Sequence, residues 1–109
     1  MNTLNYYLII LEEDEYYCPS SSYCEEGTLS NRIIKLVNSH CRLFKNTFII
    51  RSDKDNKYWQ EKICIMRQNK HKGFLVITID IIDYQRIIGG SLVEGRWEWL
   101  KEERQLKFI

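Results

Sequence analysis

Two short apolar runs constrain this chain most: YYLIIL at Tyr6–Leu11, which is continuous, and FLVITI at Phe74–Ile79, which is almost wholly apolar. Each is too short for a buried helix and rich in aromatic and β-branched residues. Neither shows the alternation that marks a strand with one wet face. Both are therefore expected to be central strands covered on both faces. Between them, TLSNRIIKLVNSHC sets Leu29, Ile33, Leu36 and Val37 on one helical face, with Thr28 or Ser30 available as a cap. RLFKNTFIIRS reads as extended, and Lys45 and Asn46 interrupt it as a turn between two strands or as a bulge. SDKDNKYWQEKICIMRQN predicts a second helix, capped by Ser52, Asp53 or Asp55, with Trp59, Ile63 and Met66 inward.

After the second apolar run, Asp80 and Asp83 mark the exit from the sheet. Tyr84–Ile88 reads as a further strand or extended arm, and Gly89 and Gly90 break the chain. WEWLKEER then predicts a terminal helix near Arg96–Arg104, in which Trp97 and Trp99 cannot share a face, so that one packs inward and the other serves a dimer or partner. The order strand, helix, one or two strands, helix, strand predicts an α+β fold. It is a ferredoxin-like (βαββαβ-type) sandwich, an antiparallel sheet with two helices on one face plus a short C-terminal helix. At 109 residues the chain is expected to form one domain, 1–109.

Net charge is +1, but its distribution is uneven. Up to Gly27 there are six acids (Glu12, Glu13, Asp14, Glu15, Glu25, Glu26) and no Lys or Arg. From Lys54 to Lys72 six bases (Lys54, Lys57, Lys62, Arg67, Lys70, Lys72) face two acids, Asp55 and Glu61. A dipolar chain of this kind can steer a charged macromolecule. Tyr16, Tyr17 and Tyr23 add contact area at low entropic cost, and YYCPSSSYCEEG reads as a loop. Cys18, Cys24, Cys41 and Cys64 lack the paired spacing of a zinc site and are expected to be free thiols, while His40 and His71 complete no ligand pattern. The opening MNTLNYYLII has no export-signal pattern and no apolar run spans a membrane, so the chain is expected to be cytoplasmic.

The series YYLIILEE, NRIIKLVNSHC, LFKNTFIIRS and GFLVITID resembles the ferredoxin-like superfamily that contains the VapD ribonucleases, the small subunit of the CRISPR adaptation complex and the SinR-like proteins. KNTFII stands where that superfamily often has a polar residue before an extended apolar run, and Trp97–Lys101, WEWLK, is similar to the terminal helix of SinR-like members. The resemblance covers most of the chain through element order and short motifs. It implies, for the nuclease members, an Asp at the end of the first strand that shares a metal across a dimer. Glu12 holds that position here, or Glu13 if the register slips by one. Glutamate is one methylene longer and would displace an ion by about 1 Å, a misplacement that can cost about 100-fold in rate.

Three functions are open at this level. The first is a non-catalytic interaction protein, a small inhibitor of the anti-CRISPR type that binds a bacterial defence nuclease or its guide RNA. Glu12, Glu13, Asp14, Glu15, Tyr16 and Tyr17 would form its partner surface, with no cofactor. The second is a metal-dependent endoribonuclease or toxin-antitoxin component, with Glu12 and Asp14 on Mg2+ and Arg32, Lys35 or Arg51 on phosphate. The third is an RNA-binding module using Lys54, Lys57, Lys62, Arg67, Lys70 and Lys72, with Tyr58 for stacking. A homodimer is expected to use Tyr84–Ile88.

Overall fold

The structure is a computed structural model that describes residues 4–17, 27–82, 90 and 96–106. The first apolar run forms β1 (Asn5–Leu11), followed by a small ribbon of β2 (Tyr16–Tyr17) and β3 (Gly27–Thr28). Then come α1 (Leu29–Ile34), β4 (Ser39–Phe44), β5 (Thr47–Ser52), α2 (Asn56–Met66), β6 (Phe74–Ile79) and α3 (Arg96–Leu106). The four long strands make one antiparallel sheet in the order β4-β5-β1-β6. The fold is thus α+β, and each helical crossover skips one strand. No helix among the described residues is long and apolar enough to cross a membrane. Tyr84–Ile88, Asp83, Cys18 and Cys24 lie outside the described residues.

Strand alternation divides the core in two. Tyr7, Ile9 and Leu11 of β1 with Phe48 and Ile50 of β5 pack against Leu29 and Ile33 of α1 and Trp59 and Ile63 of α2. The intervening residues Tyr6 and Ile49 face the other way, with Cys41, Leu43, Ile79 and Ile81, against Leu100 of α3. Helices α1 and α2 therefore cover one face and α3 part of the other. Both Trp97 and Trp99 pack on this second cluster, so α3 does not divide its indoles between core and solvent as the spacing suggested.

A buried carboxylate fixes α3 to the sheet. Glu103 is 7% exposed and accepts from the Tyr6 hydroxyl at 2.7 Å, the Ser39 hydroxyl at 2.6 Å and Arg51 Nη1 at 2.9 Å. The Trp99 indole donates to the same Ser39 hydroxyl at 3.1 Å, and the Arg96 guanidinium donates to the Arg42 carbonyl at 2.8 Å. A charge taken this far out of water persists only when its acceptor sites are filled.

Two elements differ from the sequence reading. Helix α1 stops at Ile34, leaving Leu36 51% exposed rather than on the buried face. The amides of Leu36 and Val37 bond to Ile33 and Ile34, tightening the last turn before residues of poor helix propensity. Among the described residues strand β6 is an edge strand, paired only to β1, because β5 takes the other side of β1. Its continuous apolar sequence reflects helix cover on one face, while Leu75 and Ile77 on the other are 57% and 40% exposed.

The free edge of β6 is partly closed from within. Glu12 donates its amide to the Gly73 carbonyl at 3.0 Å, and this register turns the backbone groups of Phe74, Val76 and Thr78 outward. Asn56, in the first turn of α2, donates to the Val76 carbonyl at 3.0 Å and the Thr78 hydroxyl at 2.8 Å. An unguarded apolar edge invites pairing with another chain.

Two outcomes follow from this packing. Glu103→Ala is expected to destabilise the protein by roughly 2–4 kcal/mol, since it strips three donors of their shared acceptor; urea unfolding measures it. Burial first, then the Glu103 carboxylate, raises the Tyr6 phenol above the ordinary tyrosine value of 10.0, and burial raises Tyr7. A raised folded-state pKa means stability that is present below pH 10 and lost as pH climbs towards the folded value. Alkaline spectrophotometric titration should find two tyrosines that do not ionise with the rest, and Tyr6→Phe should flatten the high-pH loss of stability.

Candidate functional site at the exit of the central strand

The acidic run leaves β1 and turns straight into contact with three other elements. Glu12 accepts from the Gly73 amide through Oε2 at 2.8 Å, extending the β1–β6 ladder by a side chain. Asp14 accepts from the Ser30 amide at 2.7 Å and the Ser30 hydroxyl at 2.6 Å, at the start of α1. Glu15 accepts from the successive amides of Gln68 and Asn69, each at 3.0 Å, just past α2, while its own carbonyl receives the Leu29 amide at 2.7 Å. Successive amides converging on a carboxylate form an anion nest. Three of the four acids are thus ligands of the chain's own backbone.

Ser30 is fully buried and central to this arrangement. Besides donating to Asp14, it accepts from Arg42 Nη2 at 2.8 Å, and the same nitrogen donates to the Asn31 side chain at 3.0 Å. The Asp14–Ser30–Arg42 series has the members of a nucleophile and its activating groups, but the hydroxyl is enclosed and its bonds, to Asp14, Arg42 and Thr28, are internal. Its geometry positions α1 against β4. The sequence carried no periodic signal for it, because Asp14 and Ser30 lie 16 residues apart. The signal that existed was the cap pattern at Thr28, whose side chain accepts from the Asn31 amide at 3.3 Å.

What stays outward is Glu13 and Tyr16, both exposed. With Glu15, Gln68 and Asn69 they line an open hollow of about 380 Å³. Among the described residues no group of three or more His, Cys, Asp or Glu stands close enough to hold a metal ion. Tyr17 lies in β2, so the expected partner residues follow one another at the end of β1 where the chain leaves the sheet.

The six bases fall into different roles. Arg67 is internal: Nη1 donates to the Lys72 carbonyl at 2.7 Å, and the guanidinium lies 5.3 Å from the Phe74 ring centre. Lys54 and Lys57 are exposed at the start of α2, with Lys54 Nζ 5.7 Å above the Tyr58 ring. Lys62 is half-buried along the helix, and Lys70 and Lys72 follow its far end. An α2 of 11 residues is about 16 Å long, so the bases form two groups and not one patch. The second group lies on the loop that Glu12 and Glu15 hold, so acid and base are interleaved there.

The remaining candidates are dispersed. Arg32 donates to the Met66 carbonyl at 3.4 Å, Lys35 is exposed, and Arg51 serves Glu103. His40 is held below the ordinary histidine value by desolvation and by Arg42, and burial raises the Cys41 thiol. Cys41 and Cys64 are free thiols. Sequence reading missed Glu103, whose signal was its place three residues after Leu100 and four after Trp99 on one helical face.

Replacing the acids one at a time separates their roles. Asp14→Ala and Glu15→Ala should each cost about 1–2 kcal/mol, the loss of a carboxylate that satisfies backbone donors. Glu13→Ala should stay within about 0.5 kcal/mol, as for an exposed surface position. Urea midpoints of the three variants decide it. No known family model, characterised protein or solved structure matches the chain.

Proposed function

We propose that the chain is a ferredoxin-like interaction module. It acts as a small inhibitor that docks a bacterial defence nuclease or its guide RNA through the exit of β1. The ferredoxin-like reading is supported by the strand order β4-β5-β1-β6, with each helical crossover spanning one intervening strand. The observation that carries the docking reading is the division of labour among the acids. Glu12, Asp14 and Glu15 are tied to backbone amides, which fixes the loop, and Glu13 and Tyr16 stand outward on that fixed frame. A pre-ordered loop presenting a carboxylate beside an aromatic ring binds basic partner residues without a further ordering cost.

The competing metal-dependent nuclease reading needs Glu12 to turn its carboxylate from the Gly73 amide towards an ion. Breaking that bond would free Gly73 at the end of the β1–β6 pairing, so catalysis and loop order would oppose each other.

A cleavage assay with a purified CRISPR effector and its guide RNA tests the proposal. The protein is expected to slow target cleavage, and Glu13→Lys combined with Tyr16→Ala should weaken that inhibition at least about tenfold, the scale of losing one interface anchor. Unaltered cleavage across effector classes sinks the inhibitor reading. RNA cleavage by the protein alone with Mg2+, lost in Glu12→Gln, would return the function to a nuclease.

A further inference from the structure

Strand β4 is the other edge of the sheet among the described residues, and the stretch that carries it has charge of one sign. From Gly27 to Ser52 there are five bases (Arg32, Lys35, Arg42, Lys45, Arg51) and no acid. Side-chain contacts gather three of them. Arg42 Nη1 donates to the Lys45 carbonyl at 2.8 Å and Nη2 to the Asn31 side chain at 3.0 Å, so its guanidinium lies between the β4–β5 turn and α1. Lys35, at the C-cap of α1, donates its amide to the Asn31 carbonyl at 3.1 Å, and both lysines are exposed.

The acids of the neighbouring elements leave most of this charge in place. Glu103 pairs with Arg51, and Arg32 turns towards the Met66 carbonyl beyond α2. Glu12 and Glu15 are bound to the loop after α2, and Glu13 opens on the hollow beside Gln68 and Asn69. Asp53 is followed directly by Lys54. In the first turn of α3, Arg96, which donates to the Arg42 carbonyl at 2.8 Å, offsets Glu98. Asp14 stands nearest, on the far side of the Ser30 hydroxyl that Arg42 also meets. Glu25 and Glu26, just before this stretch, lie outside the described residues. Among the described residues the edge therefore sets Lys35, Arg42 and Lys45 against one acid.

An aromatic ring stands in the middle of that charge. Phe44 is 59% exposed, adjacent to Lys45 and at the register shift between Arg42 and Phe44. A bulge of this kind re-aims a side chain away from the regular ladder. An exposed ring beside cations suits an unpaired base, whose face stacks on the ring while its phosphates meet the cations, and this needs no enclosed pocket. A duplex keeps its bases stacked on one another and leaves the ring without a partner.

We infer that the α1–β4 edge binds single-stranded nucleic acid, with Phe44 stacking on a base and Lys35, Arg42 and Lys45 meeting the phosphates along the strand. It uses none of the residues of the docking surface proposed above and does not depend on that reading.

Fluorescence anisotropy with short labelled single strands of RNA and of DNA tests it, and the ratio of the two affinities tells which the edge prefers; binding of either supports the assignment. Three phosphate contacts predict that affinity falls with salt with a log–log slope of about −2, and Lys45→Ala should make that slope shallower by about 0.7. Phe44→Ala should weaken binding at least about fivefold, while Phe44→Trp should keep it. Both positions are exposed, so these variants retain the fold. No binding of either strand at low salt overturns the inference. So does equal binding of the matching duplex or of polyglutamate, or an affinity unchanged in Phe44→Ala.

Discussion

Strand β1 is hydrogen-bonded on both sides, to β5 and to β6, and every other element is placed by that fact. Its odd-numbered residues build the core beneath α1 and α2, and its even-numbered residues build the one that α3 partly covers. A central strand cannot shift register without exchanging these two cores, so its position is specified many times over. The loop that leaves it inherits a fixed starting point. This is why four consecutive charged residues can be ordered there: Glu12, Asp14 and Glu15 each emerge within reach of a backbone amide on another segment, and Glu13 is carried between them.

That arrangement recasts the charge asymmetry of the chain. Acids concentrated near the N-terminus and bases near the middle suggest two separated poles, yet the fold lays the acidic loop against the loop carrying Lys70 and Lys72. Much of the formal dipole is therefore spent locally. The acids contribute by accepting backbone donors that would otherwise face each other at the sheet's end. The docking surface proposed above is correspondingly small, centred on the exposed Glu13 and Tyr16.

Where elements were written in local pattern, the sequence was legible. The strand nature of both apolar runs, the turn at Lys45–Asn46 together with a register shift between Arg42 and Phe44, the cap at Asp55 and the α3 helix all follow from spacing or turn chemistry. Features that depend on which elements become neighbours were not legible. FLVITI has the composition of a central strand, and only the pairing order reveals that among the described residues it is an edge whose outward carbonyl at Val76 is met by Asn56. Likewise Glu103 reads as an ordinary solvated helix acid until Tyr6, Ser39 and Arg51 converge on it from three different strands. At the candidate site the types of residue were readable, but their division into structural and outward-facing members was not. That division rests on contacts such as Glu15 with Gln68, more than fifty residues apart.

Glu103 also ties α3 to the stability of the fold. It gathers Tyr6 of β1, Ser39 of β4 and Arg51 of β5 onto one helix, so the sheet face built by the even-numbered residues of β1 is closed by a polar contact as well as by apolar packing. A lysine at position 51 could satisfy Glu103 as a point charge but would lack the planar fork that fixes its direction. Loosening α3 should therefore cost stability on this face of the sheet while leaving the loop of Glu12–Glu15, held by its own amide contacts, in place.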